Sequence, residues 1–228
     1  MGGTELRVID AGRLGYAEGL ELQRALVEAK KAGDAADYLV FVEHPPVITF
    51  GRSGKKEHLR ATREELAQRG VEVFEVERGG DVTFHGPGQV VGYPVIDIKR
   101  AGLGVSEYLR TIEAILLEAL AAFGIEAFTR KGLTGVWIKS GKIAAIGVAV
   151  RRWITFHGFA LNVNMDTKAF ECIVPCGLVG ESVTSMAEAL GGTADVEAIK
   201  REIVGGFARR LSADALYEDA AKHVAARG

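Results

Sequence analysis

The pattern of apolar and polar positions divides the chain into short strands and a few longer helices. Residues 6–10 read as a short strand. Residues 16–31 then carry Leu20, Ala25, Leu26 and Ala29 at helical spacing, with Gly33 as the stop. Residues 38–42 (YLVFV) are apolar without interruption, the mark of a buried strand, and Glu43-His44-Pro45-Pro46 ends it. Residues 47–50 resume extended structure ahead of a basic loop at 52–56. Thr62 and Glu65 have the spacing of a capping box, in which each side chain takes the other's free backbone N–H. The short helix that follows closes at Gly70, and Val71, Val73 and Val76 predict a strand.

Residues 90–98 form a further strand, interrupted by Pro94. Ser106 is the predicted cap of the longest helix, with Leu109, Ile112, Ile115, Leu116 and Leu120 apolar and Gly124 as its stop. Residues 136–138 and 143–150 flank KSGK (139–142) as a hairpin, and 153–164 read as another strand. Beyond Asp166 come a helical turn, a loop around Pro175 and a weak helix at 185–190. Asp195 caps a helix to about Leu211, and a last helical stretch is expected over 214–223. Strands in runs and helices in separate blocks predict an α+β fold, a mixed or antiparallel sheet with packed helices. No linker or internal repeat divides the chain. Residues 1–228 are expected to form one domain, with a small helical lobe after about Asp195 as the alternative.

Composition narrows the function classes. The chain has 228 residues, 48% hydrophobic and 25% charged, the balance of a globular soluble protein. A net charge of −2 gives no general case for nucleic acid or an anionic membrane surface. The first twelve residues lack the pattern of a signal peptide, and no apolar run approaches the ~20 residues that span a bilayer, so the cytoplasm is expected. Cys172 and Cys176 are the only cysteines, which excludes a disulfide framework and raises the question of a thiol with a chemical task.

The stretch RGGDVTFHGPGQ (78–89) holds four glycines and a proline between predicted strands, a composition that lets backbone pass close to a ligand. It contains no nucleophile. Cys176, in Pro175-Cys176-Gly177, suits one: the glycine leaves N–H groups open to an incoming carbonyl. A small buried hydrophobe is the alternative. A thiol needs a cation or base beside it, since few are thiolate at neutral pH. Lys142 qualifies by opening a strand (142–150) apolar on both faces and so expected to be central; a turn lysine reaching solvent is the alternative. His157 is a rival base, sharing strand parity with Phe159 and Leu161, as a core histidine would. Cys172 and Cys176 with His85 or His157 lack the second ligand pair of a zinc site, so neither metal nor cofactor is expected.

Taken together, RGGDVTFHGPGQ (78–89), GKIAAIG (141–147), HGFALNVN (157–164) and PCG (175–177) resemble, in order and spacing, the lipoyl/octanoyl transferases of lipoate biosynthesis. The resemblance covers roughly residues 40–185. It implies a fold similar to the biotin and lipoate protein ligase catalytic domain. It also implies octanoyl transfer from octanoyl-acyl carrier protein to a lysine of lipoyl domains of 2-oxoacid dehydrogenase complexes and the glycine cleavage H protein, without nucleic acid or membrane. Cys176 would be the acyl-thioester nucleophile and Lys142 its activator. Substrate would lie against Arg78, Gly79, Gly80, Asp81, Val82, Thr83, Phe84 and His85, against Ala145, Ile146 and Gly147, and against Gly158, Phe159 and Ala160. An ATP-dependent lipoate or biotin ligase, a cysteine thioesterase and a non-catalytic carrier-binding protein are the alternatives. Some of Arg130, Lys131, Lys139, Arg151 and Arg152 are expected to ring the pocket mouth and steer acidic carriers.

Overall fold

A computed structural model describes residues 4–174 and 182–224; Pro175, Cys176 and Gly177 lie outside the described residues. In chain order the elements are β1 (Thr4–Arg13), α1 (Tyr16–Lys31), β2 (Asp37–Glu43), β3 (Val47–Phe50), α2 (Arg63–Gln68), β4 (Glu72–Glu75), β5 (Val82–His85), β6 (Gln89–Val95), α3 (Val105–Ala121), β7 (Val136–Ile138), β8 (Gly141–Arg151), β9 (Ile154–Asn162), α4 (Met186–Leu190), α5 (Val196–Leu211) and β10 (Ala213–Glu218), with a last turn at Ala221–Val224. A seven-stranded sheet runs β10-β1-β2-β6-β9-β8-β7, and a three-stranded sheet runs β4-β3-β5. Strands β10, β1 and β2 pair in parallel, and the rest of the large sheet is antiparallel. The sheet is mixed, as expected.

Residues 38–42 of strand β2 are apolar without interruption because both faces are covered. Leu39 and Phe41 join Ile112, Leu116 and Phe207 of α3 and α5. Tyr38, Val40 and Val42 join Leu22, Leu26 and Val27 of α1 on the other side. A third cluster, with Ile48, Leu66, Phe84 and Phe170, fills the small sheet. The Thr62–Glu65 capping box forms with both bonds, at 3.1 and 2.8 Å.

Several elements differ from the sequence reading, each for a physical reason. The inward face of α1 is Gly19, Leu22, Gln23, Leu26, Val27 and Lys30, whereas Leu20, Ala25 and Ala29 are not fully buried. Two polar residues sit on that face because they have partners: Lys30 meets Asp37 at 2.8 Å, and Gln23 accepts the N–H of His157 at 2.7 Å. Helix α3 starts after Gly104, whose N–H goes to Glu107 at 2.7 Å, so Ser106 lies inside the helix. Pro94 does not interrupt β6. The ladder to β9 ends at Gly92 opposite Phe159, so no partner is owed the missing N–H. Strand β8 is next to the edge rather than central, since β7 covers only its first residues.

The segment expected to be the final helix is largely β10. Its burial alternates over Ala213–Leu216, and it pairs with β1 from Thr4 opposite Ala213 to Ile9 opposite Glu218. Helix α5 packs on α3 through Gly206, where a Cβ would lie 2.8 Å from the Ile115 side chain.

Candidate active site

A cavity of about 530 Å³ lies between residues 78–83 and the β8–β9 face. Its floor is almost bare backbone: Ala145, Gly147, Gly158 and Ala160. Register places them in cross-strand pairs, Ala145 with Ala160 and Gly147 with Gly158. The absence of side chains here is a requirement of packing. A Cβ on Gly147 would meet the Gly79 carbonyl at 2.9 Å, and one on Gly158 would meet the Gly92 carbonyl at 2.2 Å.

The glycine-rich wall is fastened at two points. Gly79 donates its N–H to Val148 O at 2.9 Å, which joins the wall to the open edge of β8. Arg78 is buried and binds Thr49 three times, through Nε (3.3 Å) and Nη2 (2.7 and 2.9 Å). Asp81 accepts the N–H groups of Val82 and Lys55 at 2.7 and 3.2 Å, holding the basic loop against the wall. A third of this stretch is the strand β5, Val82–His85. Phe84 therefore faces away from the cavity and packs edge-on against Phe170. The other residues expected at the substrate, Arg78 to Thr83, His85, 145–147 and 158–160, all line it.

Lys142 is buried and lines the same cavity. Its Nζ lies 5.0 Å from the centre of the Trp137 ring, which Arg130 also covers at 5.1 Å. Gly135, with φ +138°, passes so close that a Cβ there would meet Lys142 Cε at 2.7 Å. Glu113, buried on α3, fixes that approach by accepting the Gly135 N–H at 3.0 Å. The backbone of Lys142 is clamped to residues 182–184. Its N–H goes to Ser182 O at 2.8 Å, and Thr184 N–H comes to its carbonyl at 3.0 Å. Ser182 stands six positions after Cys176 in sequence.

About five residues of extended strand, some 17 Å, separate Lys142 from Gly147. Beyond Gly147 the cavity is bounded by Tyr16, Tyr93, His85 and His157. Burial first, then the nearby His44, lowers His85 to about 3. Burial, then Arg78 and Arg24, lowers His157 to about 3. Burial brings His44 down to about 4. All three are neutral near pH 7. His44 Nδ1 donates to Leu14 O at 2.7 Å, so its Nε2 accepts from the Tyr93 hydroxyl at 2.7 Å. His157 has φ +55° and departs from strict alternation, its ring touching that of its neighbour Phe156 at 5.0 Å. Neither of its ring nitrogens has a hydrogen-bond partner among the described residues, and Nε2 stands 4.0 Å from Glu77 Oε2.

Cys172 is half-buried, donates to Ala169 O at 3.0 Å, and is raised by burial, which marks it as unreactive. Arg151 pairs with Glu77 at 3.0 Å and covers Phe156, while Lys131, Lys139 and Arg152 are exposed. Among the described residues no group of three or more His, Cys, Asp or Glu is placed to hold a metal, and no helix is long and apolar enough to cross a membrane. Trp137, Glu113, Tyr16 and Tyr93 were not expected at the site. Glu113 did leave a signal, a carboxylate on the apolar face between Leu109 and Leu116.

Comparison with known proteins gives a consistent set of matches. Residues 15–208 match the family described as the lipoyl protein ligase A/B catalytic domain. An octanoyltransferase of Acidobacterium capsulatum is 50% identical over 194 residues, 79% of either chain. One of Solibacter usitatus is 48% identical over 198 residues, 87% of this chain and 89% of its own. Among solved structures, the Thermoplasma acidophilum bi-partite lipoate protein ligase superposes with a TM-score of 0.79 at 18% identity, covering 97% of this chain and 89% of that one. Biotin protein ligase of Aquifex aeolicus gives 0.56 at 13% identity, covering 91% and 70%. The fold is that of the lipoate protein ligases.

Proposed function

The chain belongs to the octanoyltransferases of the lipoyl protein ligase A/B catalytic-domain family, and from that premise we propose that it moves an octanoyl (or lipoyl) group from acyl carrier protein to a lysine of lipoyl domains through a thioester on Cys176. The observation that carries this reading is Lys142: a buried lysine opening on an apolar cavity, its backbone clamped to the segment shortly after Cys176.

In the first step the Cys176 thiolate attacks the carrier-bound thioester carbonyl. A new C–S bond forms, the carrier's C–S bond breaks, and the carrier thiol leaves with a proton. The exchange is nearly even in free energy, so it needs a good thiolate rather than an energy source. In the second step the acceptor lysine, of pKa ~10.4 in water, must lose a proton before it attacks. Its nitrogen then forms the amide as Cys176 leaves. Thioester to amide is downhill, and no ATP is required. Lys142 takes the thiol proton first and the amine proton later. The glycine wall and bare floor hold the alkyl chain in a preformed apolar cavity. The donor is octanoyl-acyl carrier protein. The acceptors are lipoyl domains, including those of 2-oxoacid dehydrogenases and the glycine cleavage H protein, and the setting is the cytoplasm.

Intact mass after mixing with octanoyl-carrier tests the reading. The expected result is one octanoyl group on Cys176, discharged by addition of a lipoyl domain. Pyrophosphate release would indicate an ATP-dependent ligase, free octanoate without acceptor a thioesterase, and stoichiometric binding without acylation a carrier-binding protein.

A further inference from the structure

The cavity wall and the Lys142 clamp are joined by two buried amides. Gln89 and Asn162 face each other across the end of the β6–β9 ladder, both fully buried. Asn162 Nδ2 donates to Thr184 O at 2.9 Å, and Gln89 Nε2 donates to Asn162 Oδ1 at 2.9 Å. His85 Nδ1 meets Gln89 Oε1 at 2.8 Å. Thr184 N–H binds the Lys142 carbonyl at the other end.

One carbonyl fixes the direction of the whole chain. Thr184 O can only accept, so Asn162 must turn its NH₂ towards it and its oxygen towards Gln89. Gln89 must then present its NH₂ to Asn162 and its oxygen to His85. His85 Nδ1 must therefore carry the ring proton, leaving Nε2 as a lone-pair acceptor. Burial holds that imidazole neutral.

We propose that Gln89 and Asn162 act as a positioning relay. They set the His85 tautomer at the acyl cavity and seat Lys142 through Thr184, so that the two ends of the site hold a single register. The inference rests on the octanoyltransferase reading. Two amides that merely satisfied one another in the core would not end on a cavity residue at one side and on the Lys142 clamp at the other. Thr184 is a junction in its own right: its hydroxyl donates to Glu188 at 2.8 Å and accepts from Ser140 at 3.1 Å.

Asn162→Asp separates the two ends. Its carboxylate still accepts from Gln89, so the His85 tautomer survives, but it opposes Thr184 O and releases the clamp. The expected result is a fall in kcat of about 10- to 100-fold, the scale of small misplacement of a reacting group, with KM for octanoyl-carrier within about twofold. Asn162→Leu should lower kcat as well and also scramble the tautomer, read from the His85 ring nitrogens by NMR. Unchanged kcat in Asn162→Asp, or a raised KM at unchanged kcat, would overturn the relay. The wild-type enzyme supplies a measurement independent of variant folding: an Nε2–H tautomer at His85 would overturn it outright. Failure of the underlying reading is distinct, since the wild-type enzyme would then form no acyl-enzyme.

Discussion

Lys142 Nζ stands 5.0 Å from the centre of the Trp137 ring, an indole that Arg130 covers at 5.1 Å. A cation over an aromatic face gains about 0.5–2 kcal/mol, most where water is excluded. Trp137 thus gives the Lys142 side chain a fixed place at the cavity. Trp137→Phe keeps an aromatic ring but a weaker face, and kcat should fall severalfold. Lys142→Met should abolish transfer and move the pH midpoint of Cys176 alkylation by iodoacetamide upward, since an adjacent cation favours thiolate. Turnover of Trp137→Phe and Lys142→Met, and alkylation rate against pH in wild type, Lys142→Met, His85→Gln and His157→Gln, check these expectations. An unmoved midpoint in Lys142→Met, with a moved one in His85→Gln or His157→Gln, would pass the activator role to that histidine.

Gly135→Ala tests the approach to Lys142 from behind. The new Cβ would lie 2.7 Å from Lys142 Cε and 2.8 Å from Ala144 O, in a backbone conformation that L residues rarely adopt. Transfer should drop about 100-fold, as expected for a displaced reacting group. Gly192→Ala, where none of the described residues lies within 4 Å, should be silent. Turnover of both, beside their melting temperatures, is the comparison; full activity in Gly135→Ala would mean that Lys142 tolerates movement.

The two cysteines should behave differently. Cys176→Ser should abolish transfer and Cys172→Ser should retain most of it, because the Cys172 thiol is raised by burial and bonded to Ala169 O. Equal losses in steady-state assays would point to a paired role.

Stability should decline earlier with acid than carboxylates alone would cause. His44, His85 and His157 titrate at about 4, 3 and 3 in the folded protein, all below the unfolded value of about 6.5. In that window the unfolded chain binds more protons, so the stability these groups contribute is complete above about pH 6.5 and is lost as pH falls through it towards 3. Denaturant midpoints between pH 7.5 and 4.5 should fall from near pH 6.5, with a shallower slope in His157→Gln. A flat curve from pH 7 to 5 would contradict this.

The sequence carried the site further than it carried the architecture around it. Small residues marked the floor because nothing larger than Gly147 and Gly158 can pass the Gly79 and Gly92 carbonyls. Helix α1 was found, but its inward face was misplaced: Gln23 and Lys30 look solvent-bound until their partners on β9 and β2 are known. Likewise β10 reads as helix locally and becomes a strand only because β1 offers a partner some two hundred residues upstream. The Gln89–Asn162 contact is of the same kind, polar residues whose purpose lies across a sheet. Cys176 rests on the motif, as it falls outside the described residues.

The floor made of Ala145, Gly147, Gly158 and Ala160 has a thermodynamic consequence. Glycine and alanine have essentially no rotamer freedom to lose when a ligand arrives. An alkyl chain settling there immobilises itself but freezes nothing beneath it, so little of its hydrophobic gain is returned as ordering of the protein. The same bareness removes any means of adjustment. A surface without rotamers cannot repack around a longer or branched chain, and discrimination falls to the rigid distance between backbone and wall.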